Sequence, residues 1–179
     1  MALYAQTLNY DFINWDDLVY IKDNIYIRKL SWHNISTLFS SLYIGEWFPL
    51  QLLSYAVDYS FWGLNTVGYH LGNTVLHILN AFLVFLLVKT IFREGGEPVA
   101  LIASLLFLVH PVQIESLVWM SQRKTVLCTF FFILSFLFYI RWREKSKIGL
   151  YIASFAFYAF SLLSKIISLM LPFILLTWD

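Results

Sequence analysis

A predominantly apolar run from Gly68 to Phe92 is the feature that most restricts what this chain can fold into. As an α-helix its roughly 25 residues would extend about 38 Å, enough to cross a hydrocarbon core about 30 Å thick. The whole sequence agrees with a membrane setting, because 60% of its 179 residues are hydrophobic and only 13% are charged. That charged share is about half the share typical of a soluble domain. We therefore expect an all-α integral membrane protein, built as a polytopic helical bundle.

Further apolar runs follow, and together they predict about four to five membrane spans. The predicted spans are about 68–92, 99–110, 125–142, 149–163 and 167–178, within a transmembrane bundle of residues 67–179. His110-Pro111 interrupts the second run. Because proline starts a helix more readily than it continues one, residues 111–124 are expected to form an interfacial segment. Lys165 divides the last two runs, since a lysine at the membrane centre costs about 2.5–3.5 kcal/mol.

Residues 1–66 are polar and aromatic, and too interrupted to span a membrane. Ser31 is a suitable N-cap for a short helix whose apolar residues recur at helical spacing. Pro49 suits the first turn of a second helix that runs to about Trp62. The first of these helices could lie in the membrane interface or pack on its neighbours. The sequence therefore predicts a loop region with short helices in front of the bundle.

The loop after the third span carries the densest positive charge, from Arg141, Arg143, Lys145 and Lys147. The positive-inside rule places such a loop in the cytoplasm. Counting crossings from it puts residues 9–66, the segment 110–124 and Lys165 together on the extracytoplasmic side. Charged residues that meet there predict a site for a charged lipid head group and a molecule that reacts with it. They are Asp16, Asp17, Glu115, Arg123, Lys124 and Lys165.

Asp16 and Asp17 form an adjacent acidic pair in the loop region. Two adjacent charged carboxylates at a membrane surface cost free energy unless they bind water or a cation, or accept a proton from a substrate. A solvated turn or a helix N-cap is the other explanation of the pair. The carboxylates could also hold a divalent cation, but no third ligand follows at a suitable spacing, so no metal site is predicted. The net charge of +1 offers no basic surface for nucleic acid.

A polar stripe runs along the first span, where His70, Asn73, His77 and Asn80 recur three and four residues apart on one helix side. Polar groups at membrane depth normally face the bundle interior, where they bond to neighbouring helices. Two histidines seven residues apart could alternatively ligate a haem. Both interpretations stay open at this point.

Four motifs follow one another across nearly the whole chain. They are Asn14-Trp15-Asp16-Asp17, Trp47-x-Pro49-Leu50, Gly63-Leu64-Asn65-x-x-Gly68-Tyr69-His70-Leu71-x-Asn73-x-x-Leu76-His77, and His110-Pro111-x-Gln113-x-Glu115-Ser116-x-x-Trp119-x-x-x-Arg123-Lys124. Together they resemble the transmembrane and tetratricopeptide-repeat (TMTC-like) protein family, whose membrane part resembles the GT-C glycosyltransferases. The resemblance implies a GT-C-like helical bundle with a large, helical, extracytoplasmic first loop.

The same resemblance implies an activity: transfer of a sugar, mannose in the eukaryotic members, from a polyprenyl-phosphate donor to a protein hydroxyl. It implies that Asp16 or Asp17, in the first loop, is the general base or orients the acceptor. A carboxylate within hydrogen-bond reach can take the proton of an attacking hydroxyl. The leaving lipid phosphate needs fixed positive charge, for which Arg123, Lys124 and, more weakly, Lys165 are the candidates.

Three other polar residues complete the predicted site. His70 and His110 could hydrogen-bond phosphate or sugar, although a structural role is the alternative for each. Glu115 could contact substrate, or instead pair with Arg123 or Lys124 and hold the segment together. No cofactor is expected beyond the lipid-linked donor, which is a substrate, and the need for a divalent metal is open.

The sequence also departs from the family pattern. The span expected before the acidic loop, the later spans and the repeat domain are missing, and Lys165-Ile166 stands where the family usually has Lys-Pro. The chain is thus expected to be a fragment of a longer enzyme or a shortened relative. A non-catalytic structural membrane subunit with a truncated GT-C-like fold, packed in a larger membrane complex, is the alternative function. The membrane could be a plasma or inner membrane or the endoplasmic reticulum.

Overall fold

The computed structural model describes residues 2–92 and 94–178, and within those ranges it contains helices and turns but no β-strand. An isolated β-bridge joins Tyr43 and Glu46. The α-helices are α1 (Trp32–Ser40), α2 (Pro49–Trp62), α3 (Thr66–Ile91), α4 (Gly96–Val109), α5 (Ile114–Val118), α6 (Arg123–Lys145), α7 (Ile148–Ser164) and α8 (Leu171–Trp178). The predicted all-α class is confirmed.

Short 3₁₀ and π turns connect these helices. The 3₁₀ turns are Ala2–Asn9, Ile25–Arg28, Pro111–Gln113, Met120–Gln122 and Ile166–Met170, and Leu18–Lys22 is a π-helical turn. They occupy the loop region, the breaks at His110-Pro111 and Lys165, and the end of the segment between α5 and α6. At both breaks the backbone is extended for one residue before the next turn begins.

Two helical stretches are long and apolar enough to cross a membrane, namely α3 and the stretch Met120–Lys145 that contains α6. Helix α3 has 26 residues, which corresponds to about 39 Å. Helix α4 and the stretch Pro111–Val118 would make a third span if this pair, bent by 48°, crosses as one. The chain is therefore an integral membrane protein with two or three candidate spans. The predicted four to five spans remain a prediction.

Local sequence signals explain where several helices begin. The Ser31 hydroxyl accepts a hydrogen bond from the backbone N–H of Asn34 at 3.2 Å, so the predicted cap of α1 is confirmed. Pro49 is the first residue of α2, as predicted. The Asn65 side chain accepts from Val67 N–H at 3.1 Å and caps α3. Each cap satisfies a backbone donor that has no partner inside the helix.

The buried apolar side chains of the described residues form three clusters, two in the bundle and one around the loop region. In the bundle, Leu83 of α3 packs against Ile133 and Leu137 of α6, and Leu171 of α8 packs against Phe136 and Ile140 of α6. Helix α7 lies along α6 after the short connection at 146–147. The third cluster joins the loop region to α2, α3 and the segment before α6. Its buried members are Tyr20, Ile21, Ile27, Leu38, Leu52, Tyr55, Ala56, Tyr69 and Met120. Through Leu38, α1 packs on its neighbours, which was one of the two alternatives for this helix.

Candidate functional site

The acidic pair divides into two side chains with different surroundings. The Asp17 side chain is fully buried. One of its oxygens accepts hydrogen bonds from the backbone N–H of Ser121, at 2.9 Å, and from the Ser121 hydroxyl. The other oxygen accepts from Ile13 N–H at 3.0 Å. Asp17 therefore ties the loop region to the segment that leads into α6, and both of its oxygens accept hydrogen bonds from the protein.

Asp16 is half-buried and makes no hydrogen bond or ion pair with any residue that the structure describes. Beside it, the Trp15 ring is 72% exposed and lies 5.9 Å, centroid to centroid, from the ring of Trp119. Trp15 lies two residues before Asp17 in the chain, and Trp119 lies two residues before Ser121, so the ring contact adjoins the Asp17–Ser121 hydrogen bonds. Asp16 thus has a carboxylate available at the surface of a loop whose position Asp17 fixes.

The segment Met120–Gln122 is also held from the other side, by α2. Gln51 Nε2 donates to the Ser121 carbonyl at 2.7 Å. The Tyr55 hydroxyl donates to the Met120 carbonyl at 2.7 Å and accepts from Gln51. These carbonyls precede α6, and α2 supplies them with side-chain donors in addition to the backbone N–H of Arg123, which bonds to the Met120 carbonyl. The beginning of α6 is therefore fixed by both the loop region and α2.

Arg123 is 2% exposed and makes its hydrogen bonds entirely within the protein. Its Nε donates to Asn73 Oδ1 at 2.7 Å, one terminal nitrogen donates to the Tyr69 carbonyl at 2.7 Å, and the other forms an ion pair with Asp58. The guanidinium also lies 4.8 Å from the centroid of the Tyr55 ring. A buried guanidinium needs such partners because an unpaired buried charge is very costly.

The four residues of the polar stripe on α3 all contact neighbouring parts of the chain through hydrogen-bonding groups. Asn73 faces Arg123, and Asn80 donates to the Val126 carbonyl of α6 at 2.9 Å. His77 Nε2 lies 3.1 Å from the Leu108 carbonyl of α4, and His70 Nε2 lies 3.3 Å from the Tyr10 carbonyl. Both histidines therefore contact backbone oxygens of neighbouring elements. This geometry favours interhelical hydrogen bonding over haem ligation.

Lys124, the next residue of α6, has a different partner. Its ammonium group lies 2.7 Å from Glu46 Oε2, and the Tyr20 hydroxyl donates to the same oxygen at 2.9 Å. Burial acts to raise the pKa of the Glu46 carboxyl, but the hydrogen bonds from Lys124 and Tyr20 outweigh it, so this pKa lies below its ordinary value. The ammonium also lies 4.7 Å from the centroid of the Phe48 ring.

Lys165 lies near this ion pair. Its ammonium group donates to the Thr125 hydroxyl at 3.0 Å, and its charge contributes to lowering the pKa of Glu46. Among the residues that the structure describes, no carboxylate pairs with Lys165. Lys165 therefore has a hydroxyl partner but no carboxylate partner within the part of the chain that the structure describes.

The other two predicted site residues have local roles. His110 is exposed, and its Nδ1 accepts from Val112 N–H at 3.2 Å, so it caps the turn Pro111–Gln113. Glu115 is exposed and accepts from Gln122 Nε2 at 3.2 Å. The alternative in which Glu115 pairs with Arg123 or Lys124 does not hold, because Asp58 and Glu46 pair with these two cations instead.

The structure brings Asp17, His70, Arg123, Lys124 and Lys165 to the beginning of α6 and its surroundings. Two acidic partners in this cluster, Asp58 and Glu46, were not among the predicted site residues. Asp58 could have been found from the sequence, since Gln51, Ser54 and Asp58 recur at helical spacing and so share one side of α2. Glu46 could not have been found in this way, because it lies in a loop. In the described residues no group of three or more His, Cys, Asp or Glu side chains could hold a metal ion.

Comparison with known proteins places the chain in a family. It is 34% identical to Protein O-mannosyl-transferase tmtc2 of Xenopus laevis over 79% of this chain. It is 30% identical to Protein O-mannosyl-transferase TMTC4 of Homo sapiens over 87% of this chain. The chain belongs to the TMTC-like protein family. The resemblance found in the sequence motifs is confirmed.

This TMTC-like chain matches only a part of each relative. It spans 18% of the Xenopus laevis protein and 24% of the human one. Protein O-mannosyl-transferase Tmtc1 of Drosophila melanogaster is 34% identical over 54% of this chain, which is 11% of that protein. No family model and no solved structure matches the chain.

Proposed function

We propose that this chain is part of a membrane protein O-mannosyl-transferase. It would transfer a mannose-like sugar from a polyprenyl-phosphate donor to a hydroxyl of an acceptor protein. The observation that carries the proposal is the relation, over 79% and 87% of the chain, to two proteins named as protein O-mannosyl-transferases. A GT-C-type bundle with further spans, and an acidic loop on the extracytoplasmic side, belong to the same proposal.

The reaction is a displacement at the anomeric carbon of the sugar. The oxygen of a Ser or Thr hydroxyl forms the new bond to that carbon, and the bond from the carbon to the phosphate oxygen breaks. The lipid phosphate leaves with the electron pair. The hydroxyl proton passes to a carboxylate within hydrogen-bond reach.

Asp16 is the general base in this proposal. Its carboxylate is half-buried and bonds to no described residue, so it is available to an acceptor hydroxyl. Asp17 is fully buried, and its oxygens accept from Ser121 and Ile13. Asp17 is therefore a positioning residue that holds the loop carrying Asp16 against the segment before α6.

Arg123 also has a positioning role in this proposal. Its donors are directed at Asp58, Asn73 and the Tyr69 carbonyl, so it joins α2, α3 and α6 below the acidic loop. A buried and fully bonded cation of this kind fixes the geometry around a reacting centre.

Substitutions in the complete protein test the assignment of Asp16. Asp16→Asn is expected to lower sugar transfer to an acceptor peptide by a factor of about 100 or more, because a general base contributes about that much. Its thermal unfolding should match the wild type. Asp11→Asn is the matched control, since Asp11 is an exposed acid of the same loop, and it should leave transfer unchanged.

Asp17→Asn is expected to lower the unfolding temperature, because the amide nitrogen that replaces one carboxylate oxygen cannot accept a hydrogen bond. Wild-type transfer by Asp16→Asn would contradict the catalytic assignment.

The alternative function, a structural membrane subunit, has one observation in its favour: Arg123 and Lys124 are both neutralised inside the chain. Release of the complete protein as a lone monomer in mild detergent would count against that alternative.

A further inference from the structure

The connection between α6 and α7 carries a concentrated positive charge. Residues 141–147 contain four cations and one acid, a net charge of +3, whereas the whole chain has a net charge of +1. All five of these charged side chains are exposed. The rest of the chain therefore has no positive excess, and the charge of this basic loop is a local feature. Its charged residues are Arg141, Arg143, Glu144, Lys145 and Lys147.

A tight turn holds two of these cations close together. Only residues 146–147 separate α6 from α7. Ser146 has the left-handed backbone conformation, with φ of 51°, in which helices commonly end, and its N–H donates to the Trp142 carbonyl at 2.7 Å. Lys145 and Lys147 thus flank the turn, and neither ammonium group has a hydrogen-bond or ion-pair partner among the described residues. Because like charges at this separation repel each other, the pair favours a shared anion.

Aromatic rings connect the basic loop to a groove in the bundle. The Arg143 guanidinium lies 5.8 Å from the centroid of the Trp142 ring. The Tyr151 and Tyr139 rings lie 4.7 Å and 5.4 Å, centroid to centroid, from the same tryptophan ring. Both tyrosines line a groove of about 220 Å³ between α6, α7 and α8. Tryptophan and tyrosine are enriched at the depth of lipid head groups, because their rings combine an apolar body with a polar group.

The groove runs from the basic loop along α7 and α8. Tyr151 lies in the first turn of α7, and Phe155 lies one turn further on the same side of that helix. Phe155 is 65% exposed. Pro172 and Leu175 of α8 form the opposite wall. An open apolar groove of this kind in a membrane-spanning bundle suits a hydrocarbon chain, whose burial is favourable in proportion to the apolar area covered.

We propose that the basic loop and this groove bind one anionic phospholipid. Its phosphate head group contacts Lys145 and Lys147, and one acyl chain lies along Phe155 and Leu175. Clusters of lysine and arginine at the end of a membrane span attract anionic lipids. A free phosphate would use only the cations, whereas a phospholipid uses the cations and the adjoining groove together. This inference does not depend on the proposed sugar transfer, since none of its residues belongs to the candidate site.

Binding of two phospholipids with the same acyl chains to the complete protein tests this site. Native mass spectrometry in mild detergent measures the bound fraction as phosphatidylglycerol or phosphatidylcholine is titrated. We expect phosphatidylglycerol to bind more tightly, because its head group has a net negative charge. The double variant Lys145→Gln/Lys147→Gln should weaken this binding about 20-fold, since each lysine near an anionic lipid surface is worth about a fivefold factor.

The double variant Lys22→Gln/Lys29→Gln is the matched control. It removes the same charge from two exposed lysines of the loop region in front of α1, so its phosphatidylglycerol binding should equal that of the wild type. Wild-type binding by Lys145→Gln/Lys147→Gln would overturn the inference. Equal binding of phosphatidylglycerol and phosphatidylcholine by the wild type would overturn it as well.

A second pair of variants tests the groove without changing the charge. Phe155→Ala removes an exposed ring from the groove wall and should weaken phosphatidylglycerol binding severalfold. Ile152→Ala is its control, because Ile152 is 61% exposed on α7 and does not line the groove. Undiminished binding by Phe155→Ala, or displacement of the lipid by an equal concentration of glycerol 3-phosphate, would show that the cations hold a phosphate alone and would overturn the assignment to a lipid.

Discussion

Arg123 and Lys124 are neighbours in sequence but belong to two different networks. Adjacent residues of an α-helix point about 100° apart, so Arg123 faces Asp58 and Asn73 of α2 and α3, whereas Lys124 faces Glu46 of the loop region. Each cation is thus bonded to a separate part of the fold. The first turn of α6 therefore holds the loop region, α2 and α3 in a fixed relation.

Adding one carbon atom at Gly72 tests how rigidly its hydrogen bonds hold the Arg123 guanidinium. A Cβ added at Gly72 would lie 2.7 Å from an Arg123 terminal nitrogen, and that nitrogen is held by the Tyr69 carbonyl. Because the guanidinium cannot move without losing bonds, Gly72→Ala should lower the free energy of unfolding by about 1–3 kcal/mol. Gly149→Ala is the control, since nothing lies within 4 Å of its added Cβ. Equal unfolding temperatures for the two variants in detergent would show that Arg123 adapts freely.

Helices α2 and α3 each carry polar side chains at helical spacing, and α6 is where the two sets meet. Gln51 and Tyr55 of α2 bond to the carbonyls that precede α6, and Asn73 and Asn80 of α3 bond to α6 itself. Inside a membrane protein such polar groups are costly unless they are paired. The polar stripes therefore determine which helix faces meet, while the apolar residues permit many arrangements.

Helices α6 and α7 associate through small polar residues. The hydroxyls of Ser135 and Ser154 each donate to the other residue's carbonyl at 2.8 Å, and Ser161 donates to the Cys128 carbonyl at 2.9 Å. Such contacts require closely spaced backbones. Ser135→Ala should therefore cost only about 0.6 kcal/mol, whereas Ser135→Leu should cost about 1–3 kcal/mol because it forces the helices apart. Unfolding in mixed detergent micelles measures both, and equal losses would contradict close packing.

The sequence predicted the helical class, the helix at Pro49–Trp62, the cap at Ser31 and most of α3, because each depends on local chemistry. It did not predict that Asp17 is buried against Ser121, 104 residues later in the chain. It also missed Asp58 and Glu46 as partners of Arg123 and Lys124, since charge alone does not specify which acid meets which cation. Partners of this kind are set by the packing of distant elements, which periodicity within one helix does not encode.

The orientation of the whole molecule in its membrane is predicted from the distribution of cations, and this prediction has a direct test. Cys128 is the only cysteine and is buried, so a new surface cysteine can be labelled selectively. A cysteine at exposed Asp11 should react with a membrane-impermeant maleimide from the extracytoplasmic face of sealed vesicles. A cysteine at exposed Ser146, in the loop between Arg143 and Lys147, should react only after permeabilisation. The reverse pattern would put Asp16 in the cytoplasm and remove the basis for an extracytoplasmic transfer site.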